Sequence, residues 1–322
     1  MAGGPSTPAL VAAVSEAGGL GFLAAGYKSP DAVREEIRAV RELTSAPFGL
    51  NLFVPGRGEA DETALARYLE SLQPDAERLG VEVGEPRWDD DAWDAKFAVV
   101  VEERVPIVST TFGYPPPEAM ARLQAAGIAV WVTVTEVDEA QEAREAGADA
   151  LVVQGVEAGA HRGTFVDEDG RGEVPLLPLF RGVAAAVDLP LVATGGLADA
   201  AGVATVLAAG ARAAQLGTAF LLCPEAGTSE PHRAALREGG RATVLTRAFT
   251  GRRARALENR FTRDHPDAPS AYPQINYATS PLRAAARASG DAESLHLWAG
   301  QTFAHGDERR AHDLVRSLDP GY

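Results

Sequence analysis

Residues 129–155, AVWVTVTEVDEAQEAREAGADALVVQG, contain the pattern that decides the fold of this chain. An apolar run at Ala129–Val134 precedes a polar stretch at Glu136–Ala146, and Gly147 separates that stretch from a second apolar run at Ala150–Gly155. Glycine supplies the left-handed residue that ends a helix, and strands with little alternation are typical of sheets buried on both faces. This strand–helix–strand unit therefore predicts a parallel sheet.

The same unit recurs along the first two thirds of the chain, which predicts a TIM (β/α)8 barrel. Seven strands are predicted, at Leu20–Ala24, Phe48–Phe53, Ile107–Phe112, Ala129–Val134, Ala150–Gly155, Leu191–Gly195 and Ala213–Gly217. The helices are predicted at Pro8–Ala17, Asp31–Glu42, Asp61–Leu72, Pro117–Ala126, Glu136–Ala146, Leu177–Val187 and Ala198–Ala209.

The predicted barrel is one strand short. The segment Met1–Thr7 has the composition of a loop that follows a strand, and Thr7-Pro8 is typical of a helix start. An open sheet of seven strands would expose two edges, which is unfavourable. We expect that the first strand is missing because the gene start was placed too far downstream; the alternative is that another segment fills the gap.

The sequence predicts two regions. Residues 1–218 are expected to form the barrel, with an insertion or solvated stretch near 74–95, where prolines and the acidic run Asp89–Asp91 interrupt the pattern. Residues 219–322 are expected to form a mostly helical C-terminal cap packed on one face of the barrel.

Composition excludes several classes of protein. The 322 residues carry a formal charge of −15, which argues against non-specific binding to nucleic acid or anionic membranes. Cys223 is the only cysteine, so neither a disulfide within the chain nor a cysteine metal cluster is expected. No signal peptide and no apolar run of about 20 residues is present, and we expect a cytoplasmic protein.

Two glycine-containing pairs follow the last two predicted strands. In α/β barrels the ends of strands seven and eight often hold a phosphate, which the backbone N–H groups must approach closely. Gly195-Gly196 and Gly217-Thr218 are suited to that role, because a Cβ atom there would obstruct the anion. The alternative is that both pairs only form tight turns.

Polar residues at other strand ends are candidates for ligand contacts. Asn51 and Gln154 offer both a donor and an acceptor, although each could be a buried amide satisfied by the backbone. His161 lies in a glycine-rich loop without apolar periodicity, and histidine is the natural acid or base near neutral pH. His161 is therefore the candidate catalytic residue.

Arg162 has two possible roles, and most of the remaining histidines are expected to have none in the site. Arg162 could position an anionic substrate or pair with Glu157 or Asp167. No metal site is predicted. Surface positions are expected for most of the other histidines, which are His232, His265, His296, His305 and His312.

Several short motifs, in their order and spacing along nearly the whole chain, resemble the nitronate monooxygenase family, formerly called 2-nitropropane dioxygenases. They are MAGGPST at 1–7, NLFVP at 51–55, QGVEAGAHRG at 154–163, TGG at 194–196, QLGT at 215–218, YPQINY at 272–277 and LWAGQ at 297–301.

The resemblance implies a barrel that binds FMN and uses O2 to oxidise alkyl nitronates to a carbonyl compound and nitrite, with no nucleic-acid or membrane partner. It implies that His161 is catalytic, and a homodimer is compatible with it. Residues from the cap are expected to select the substrate, and Tyr272, Tyr277 and Gln301 are the candidates. The resemblance and the two glycine-containing pairs together predict the cofactor contacts. They are Met1, Ala2, Gly3, Asn51, Gln154, Gly159, Gly195, Gly196, Gln215, Leu216, Gly217 and Thr218.

The chain departs from the family at one position beside the catalytic histidine. Members of the family commonly have Gly-Gly-His, whereas Ala160 precedes His161 here. An alanine methyl matters if this residue needs a positive φ. His161 itself could be protonated and hold an anionic nitronate, or be neutral and act as a base.

Two other functions are considered. An FMN-dependent enoyl-acyl-carrier-protein reductase shares the glycine-rich start and the Glu-Ala-Gly-x-His loop, but it needs an acidic carrier protein that an acidic surface would repel. A barrel that binds a phosphorylated ligand without catalysis is the alternative outside the enzymes.

Overall fold

The computed structural model describes residues 1–56 and 60–319. Within them, seven strands form a parallel sheet in the order β1-β2-β3-β4-β5-β7-β8, and three form an antiparallel sheet in the order β6-β10-β9. The strands are β1 (Gly21–Ala24), β2 (Phe48–Phe53), β3 (Ile107–Thr111), β4 (Ala129–Val134), β5 (Ala150–Gln154), β6 (Ala160–His161), β7 (Leu191–Thr194), β8 (Ala213–Gln215), β9 (Thr243–Thr246) and β10 (Ala254–Leu257).

The α-helices alternate with the strands of the large sheet and predominate in the C-terminal third. They are α1 (Pro8–Glu16), α2 (Pro30–Leu43), α3 (Glu62–Ser71), α4 (Gln73–Leu79), α5 (Trp93–Glu102), α6 (Pro117–Ala125), α7 (Val137–Glu145), α8 (Leu176–Ala186), α9 (Ala200–Ala208), α10 (Glu230–Glu238), α11 (Arg260–Asp264), α12 (Gln274–Ala278), α13 (Ser280–Ser289) and α14 (Ala311–Ser317).

The predicted βα units are confirmed, and their strand bounds agree to within two residues. The cause is burial against the helices: Val108, Val130 and Val153 lie on the same face of the sheet and are fully inaccessible to solvent in one continuous apolar core. The predicted start of α1 is also confirmed, because the Thr7 side chain accepts a hydrogen bond from the backbone N–H of Leu10.

The large sheet has two edges. In the part of the chain that the structure describes, β1 pairs only with β2 and β8 only with β7. The seven predicted strands are therefore all present, but the sheet does not close on itself. Ala213 and Gln215 of β8 are exposed. That a first strand is missing from the chain stays a prediction.

The predicted insertion is not a solvated stretch throughout. Residues 73–79 form α4, and Leu72 and Ala76 pack against Phe249 and Phe261 in a separate apolar cluster. The sequence pattern missed this helix because the face that it buries meets residues far along the chain, in the C-terminal third. Helix α5, which also was not predicted, lies between β2 and β3 and supplies the crossover between them.

The antiparallel sheet joins the C-terminal third to the barrel. Strands β9 and β10 form a hairpin, and β10 pairs with the two-residue β6, with Ala254 opposite His161. The C-terminal third therefore contains strands as well as the predicted helices. None of the helices in the described ranges is long and apolar enough to cross a membrane.

Candidate active site

A cavity of ≈ 540 Å³ opens at the carboxyl ends of the parallel strands. This is where ligands bind in α/β barrels, because the βα loops converge there. The cavity brings together every residue predicted for catalysis and cofactor binding, which are Met1, Ala2, Gly3, Asn51, Gln154, Gly159, His161, Gly195, Gly196, Gln215, Leu216, Gly217 and Thr218.

The antiparallel sheet positions His161. Its backbone pairs with Ala254 in β10, and its Nε2 atom lies 2.8 Å from the Thr250 hydroxyl, in the turn between β9 and β10. The same hydroxyl donates to the carbonyl oxygen of Arg252 at 3.2 Å. The C-terminal hairpin thus holds both the backbone and the ring of His161.

Aromatic rings surround the imidazole. The ring centres of Phe112, Tyr272 and Trp298 lie 5.8, 5.7 and 5.6 Å from that of His161. Beyond Phe112, the Arg252 guanidinium stacks on the ring at 3.9 Å from its centre. These neighbours leave His161 half-buried, facing the cavity, and place a positive charge close to it.

Burial among these groups, together with the smaller effect of the nearby Arg252 charge, lowers the pKa of His161 to about 3. The imidazole is therefore neutral at physiological pH. Of the two protonation states that the sequence left open, the lowered pKa supports the neutral one.

The loop before His161 is strained. Ala160 has a φ of 63°, the left-handed region that a Cβ atom disfavours. At the adjacent Gly159, a Cβ atom would lie 2.5 Å from the backbone nitrogen of Gly300. This close approach fixes the path of the loop. Ala160 therefore adopts the positive φ at which an alanine methyl matters.

The two strand-end amides differ. Gln154 accepts from the Gly163 backbone at 2.8 Å and donates to the His161 carbonyl at 3.2 Å, so it holds the loop that contains His161. Asn51 donates to Ser109 Oγ at 2.9 Å and to Thr111 Oγ1 at 3.0 Å. Its Oδ1 oxygen accepts no hydrogen bond from the described residues and lines the cavity, where it can accept one from a ligand.

The glycine pairs after β7 and β8 form a cradle of backbone N–H groups. Gly195 and Gly196 have φ angles of 111° and 69°, which side-chain-bearing residues rarely adopt. Within the described residues, the N–H groups of Gly195, Gly196 and Gly217 donate no hydrogen bond. Such groups at the ends of the last two strands suit a phosphate.

Arg162 neither faces a substrate nor forms either predicted ion pair. Its fully buried guanidinium donates to the carbonyl oxygens of Gly172, Gly155 and Gln154, each at 2.9 Å. Both sequence-based alternatives are therefore wrong. A planar group with five donors satisfies several loop carbonyls at once, and the sequence gives no sign of where those carbonyls lie.

Of the three predicted substrate-selecting residues, only Tyr272 contacts His161, and none of the three is among the residues that line the cavity. Tyr272 packs its ring on His161, and its hydroxyl donates to that of Tyr27 at 3.2 Å. Tyr277 instead lies under the Arg87 guanidinium, at 3.9 Å. Gln301 is exposed and does not line the cavity.

The sequence also missed several groups in the cavity wall. Thr250, Arg283 and two of the histidines expected at the surface, His232 and His296, line it. His232 is only 7% exposed, and burial lowers its pKa to about 4. His265, at 6% exposure, is also buried, against Asp75 at 2.8 Å, so the surface expectation holds only for His305 and His312.

Arg283 gives the cavity a positive wall. Its guanidinium donates to the Asn276 carbonyl at 2.6 Å and to the Asn276 side chain at 2.9 Å, and no carboxylate of the described residues pairs with it. Burial lowers its pKa to about 10, so it stays charged at neutral pH. A cavity with this wall suits an anionic ligand. Groups of metal-binding side chains do not occur among the described residues.

Comparison with known proteins agrees with this geometry. A family model described as nitronate monooxygenase matches residues 1–321. Nitronate monooxygenase of Paraburkholderia phytofirmans is 40% identical, over 98% of this chain and 89% of that protein. The protein of the same name from Pseudomonas aeruginosa is 42% identical, over 98% and 92%.

Solved structures show the same similarity. A nitroalkane oxidase from Streptomyces ansochromogenes is 49% identical and superimposes with a TM-score of 0.95, over 99% of this chain and 92% of that one. FabK from Thermotoga maritima is 29% identical, with a TM-score of 0.74 over 99% and 89% of the two chains.

Proposed function

The chain belongs to the nitronate monooxygenase family, and we propose that it uses FMN and O2 to oxidise alkyl nitronates to a carbonyl compound and nitrite. The observation that carries the proposal is a neutral, half-buried His161 in the wall of a cavity that Gly195, Gly196, Gly217 and the charged Arg283 also line. A nitronate is an anion and already a carbanion equivalent, so it suits this cavity electrostatically.

The residues present fit FMN. The free N–H groups of Gly195, Gly196 and Gly217 would hold its phosphate, and the Asn51 Oδ1 oxygen would accept from an N–H of its ring system. A bound flavin supplies the electron transfer from substrate carbon to O2, which no side chain of the chain can perform. The protein orients the substrate, excludes water and handles the proton.

His161 is proposed as the base that converts a neutral nitroalkane into a nitronate. When Thr250 donates to the Arg252 carbonyl, its oxygen can accept from Nε2–H of His161, which leaves the lone pair on Nδ1. Nδ1 then takes the proton from the α-carbon, and the electron pair of the broken C–H bond stays on the nitronate. The resulting imidazolium stabilises that anion.

The proposal is tested with purified protein. We expect bound flavin by absorbance, and consumption of O2 and release of nitrite when a nitronate is added without a reduced nicotinamide. His161→Ala should keep the flavin and lose most activity on neutral nitroalkanes, while retaining more of its activity on nitronates prepared in advance. A variant with unchanged nitroalkane rates would remove His161 from this role.

The two alternatives predict different results. An enoyl-acyl-carrier-protein reductase would oxidise NADH when an enoyl thioester is added and would not consume nitronates. A non-catalytic barrel would turn over neither compound and would contain no flavin.

Finer features of the molecule are proposed on the same basis. An additional strand between the edges β1 and β8 would close the sheet into a (β/α)8 barrel, and the exposure of Ala213 and Gln215 supports this. We propose residues 1–218 as the barrel and 219–322 as the cap, with α4 packed on the cap. A cytoplasmic location and a homodimer stay predictions.

A further inference from the structure

Tyr27 lies at the mouth of the cavity on the side of His161. It follows β1 directly after Ala25 and Gly26, lines the cavity and is 40% exposed. Its ring packs edge-on against Phe53 at 5.5 Å between ring centres, and its hydroxyl accepts from Tyr272 at 3.2 Å. Because Tyr272 packs on His161, this hydrogen bond links Tyr27 in the cavity wall to a ring that covers the proposed catalytic residue.

A buried ion pair holds Tyr27 in place from outside the cavity. One oxygen of Asp91, Oδ1, accepts the Tyr27 backbone N–H at 2.9 Å and lies 2.7 Å from the Lys96 ammonium. The Lys96 side chain is only 1% exposed. Asp91 therefore connects the backbone of Tyr27 to a charge buried in the first half of α5.

The backbone around this carboxylate is strained. Tyr27, Asp91 and Ala92 have φ angles of 67°, 58° and 52°, all in the left-handed region. Such backbone angles are unfavourable for residues other than glycine and persist where their surroundings hold them, which is most common at functional sites. The strain here is concentrated at the contact that positions a residue of the cavity wall.

We infer that Tyr27 limits the length of the alkyl group that the site accepts, and that Asp91 and Lys96 are positioning residues for Tyr27. This inference rests on the proposed function. The faces that Tyr27 and Phe53 contribute beside His161 are apolar rings, so the part of the substrate that they meet is its hydrocarbon chain. A longer chain would have to displace Tyr27, which the Asp91 contact and the Tyr272 hydrogen bond resist.

The first test compares Tyr27→Ala with Tyr27→Phe on nitronates prepared from nitroethane through nitrohexane. Each buried CH2 adds about 0.8 kcal/mol, or roughly fourfold in kcat/KM, once space is available. We expect Tyr27→Ala to raise the hexyl-to-ethyl ratio of kcat/KM by roughly tenfold or more, mainly through a lower KM for hexyl nitronate. Tyr27→Phe keeps the bulk of the ring and should keep the wild-type ratio.

The second test removes the ion pair without leaving a buried charge unpaired. Asp91→Ala combined with Lys96→Met should increase hydrogen exchange at the Tyr27 amide and shift the hexyl-to-ethyl ratio in the same direction as Tyr27→Ala. The matched control is Asp94→Ala, which removes an exposed acid from the same helix and should change neither. If the ion pair is purely structural, its removal would lower the melting temperature and leave the hexyl-to-ethyl ratio of kcat/KM unchanged.

The outcomes separate the inference from the function on which it rests. Turnover of nitronates by every variant with one constant hexyl-to-ethyl ratio would overturn the role of Tyr27 and leave the proposed function standing. Absence of nitronate turnover in the wild-type holoenzyme would instead overturn the proposed function.

Discussion

The Thr250 hydroxyl lies 2.8 Å from Nε2 of His161, although 89 residues separate the two along the chain. The contact exists because β10 pairs with the two-residue strand β6 and brings the turn before it against the imidazole. A histidine acting as a base needs one nitrogen hydrogen-bonded so that the other keeps its lone pair. Thr250 is the residue placed to fix that arrangement.

Replacing Thr250 by valine should lower kcat/KM for neutral nitroalkanes by roughly tenfold, part of the 10²–10⁴ that general base catalysis contributes. The shape of the side chain is retained and the hydroxyl is lost, so the imidazole can rotate or change tautomer. Rates with nitronates prepared in advance, which need no proton removal, should fall much less. Initial-rate assays with both substrate forms measure the difference.

Thr250→Ser is the matched control, because it keeps the hydroxyl and should keep most of the nitroalkane activity. An equal loss of rate on both substrate forms in the valine variant would show that Thr250 does not act through the proton transfer.

Replacing Ala160 by glycine should leave stability unchanged or raise it by up to about 1 kcal/mol. The left-handed backbone at φ 63° costs alanine roughly 1–2 kcal/mol, and glycine loses roughly 0.5–1 kcal/mol of this gain to the entropy of the unfolded chain. Denaturant unfolding of the flavin-bound protein measures the change.

Two control variants are measured beside Ala160→Gly. Ala284→Gly, at an exposed position inside α13, should destabilise by about 1 kcal/mol, because glycine is a poor helix former. Gly159→Ala should destabilise strongly, since its Cβ atom would lie 2.5 Å from the Gly300 nitrogen. Destabilisation by Ala160→Gly of the size seen at Ala284 would argue that the left-handed backbone carries no strain.

Replacing Arg162 by lysine should destabilise the protein by roughly 3 kcal/mol, even though the charge is conserved. The guanidinium satisfies three carbonyls from different directions, and an ammonium on a thinner side chain cannot reach all of them. Chemical denaturation gives the loss, and flavin content after gel filtration shows whether the loop still holds the cofactor. Wild-type stability in this variant would contradict the structural role.

The free energy of unfolding should fall on acidification, in part through His232. Its pKa is about 4 in the folded protein and about 6.5 when unfolded, so between these values the unfolded state binds more protons. The stability tied to its neutral form is complete above pH 6.5 and is lost as the pH falls toward 4. At pH 5 the loss from this one residue is about 2 kcal/mol.

His232→Gln should therefore reduce the difference in unfolding free energy between pH 7.5 and pH 5 by about 2 kcal/mol. Denaturant titrations at the two pH values measure this. His305→Gln changes an exposed histidine and should leave the difference as in the wild type. A pH dependence that is the same in all three proteins would falsify the buried, neutral state of His232.

Much of the fold follows from local patterns. The strand Ala129–Val134 is a largely apolar run because one of its faces is buried against the helices and the other faces the interior of the curved sheet, and such runs are visible in sequence. Helix α4 was missed, since its apolar residues pack on Phe249 and Phe261, more than 160 residues away. An amphipathic pattern of seven residues is too short to distinguish a packed helix from a polar loop.

The candidate site likewise contains residues that could be predicted from the sequence and residues that could not. Glycines and amides at strand ends could be predicted, because parallel strands place their carboxyl ends at one edge of the sheet whatever follows them. Arg162 and His232 could not, because a buried charged or polar residue is recognised only by the partners around it, and those partners come from other loops.

The sequence by itself determined the βα order, the glycines at the ends of the last two strands as candidates for phosphate binding, and His161 as the candidate catalytic residue, because each depends on neighbours within a few residues. Only the tertiary structure decided that His161 is neutral, that Thr250 orients it and that Tyr27 lines the cavity beside it. Those properties depend on burial and on contacts between residues that only the folded chain brings together, and no periodicity in the sequence records them.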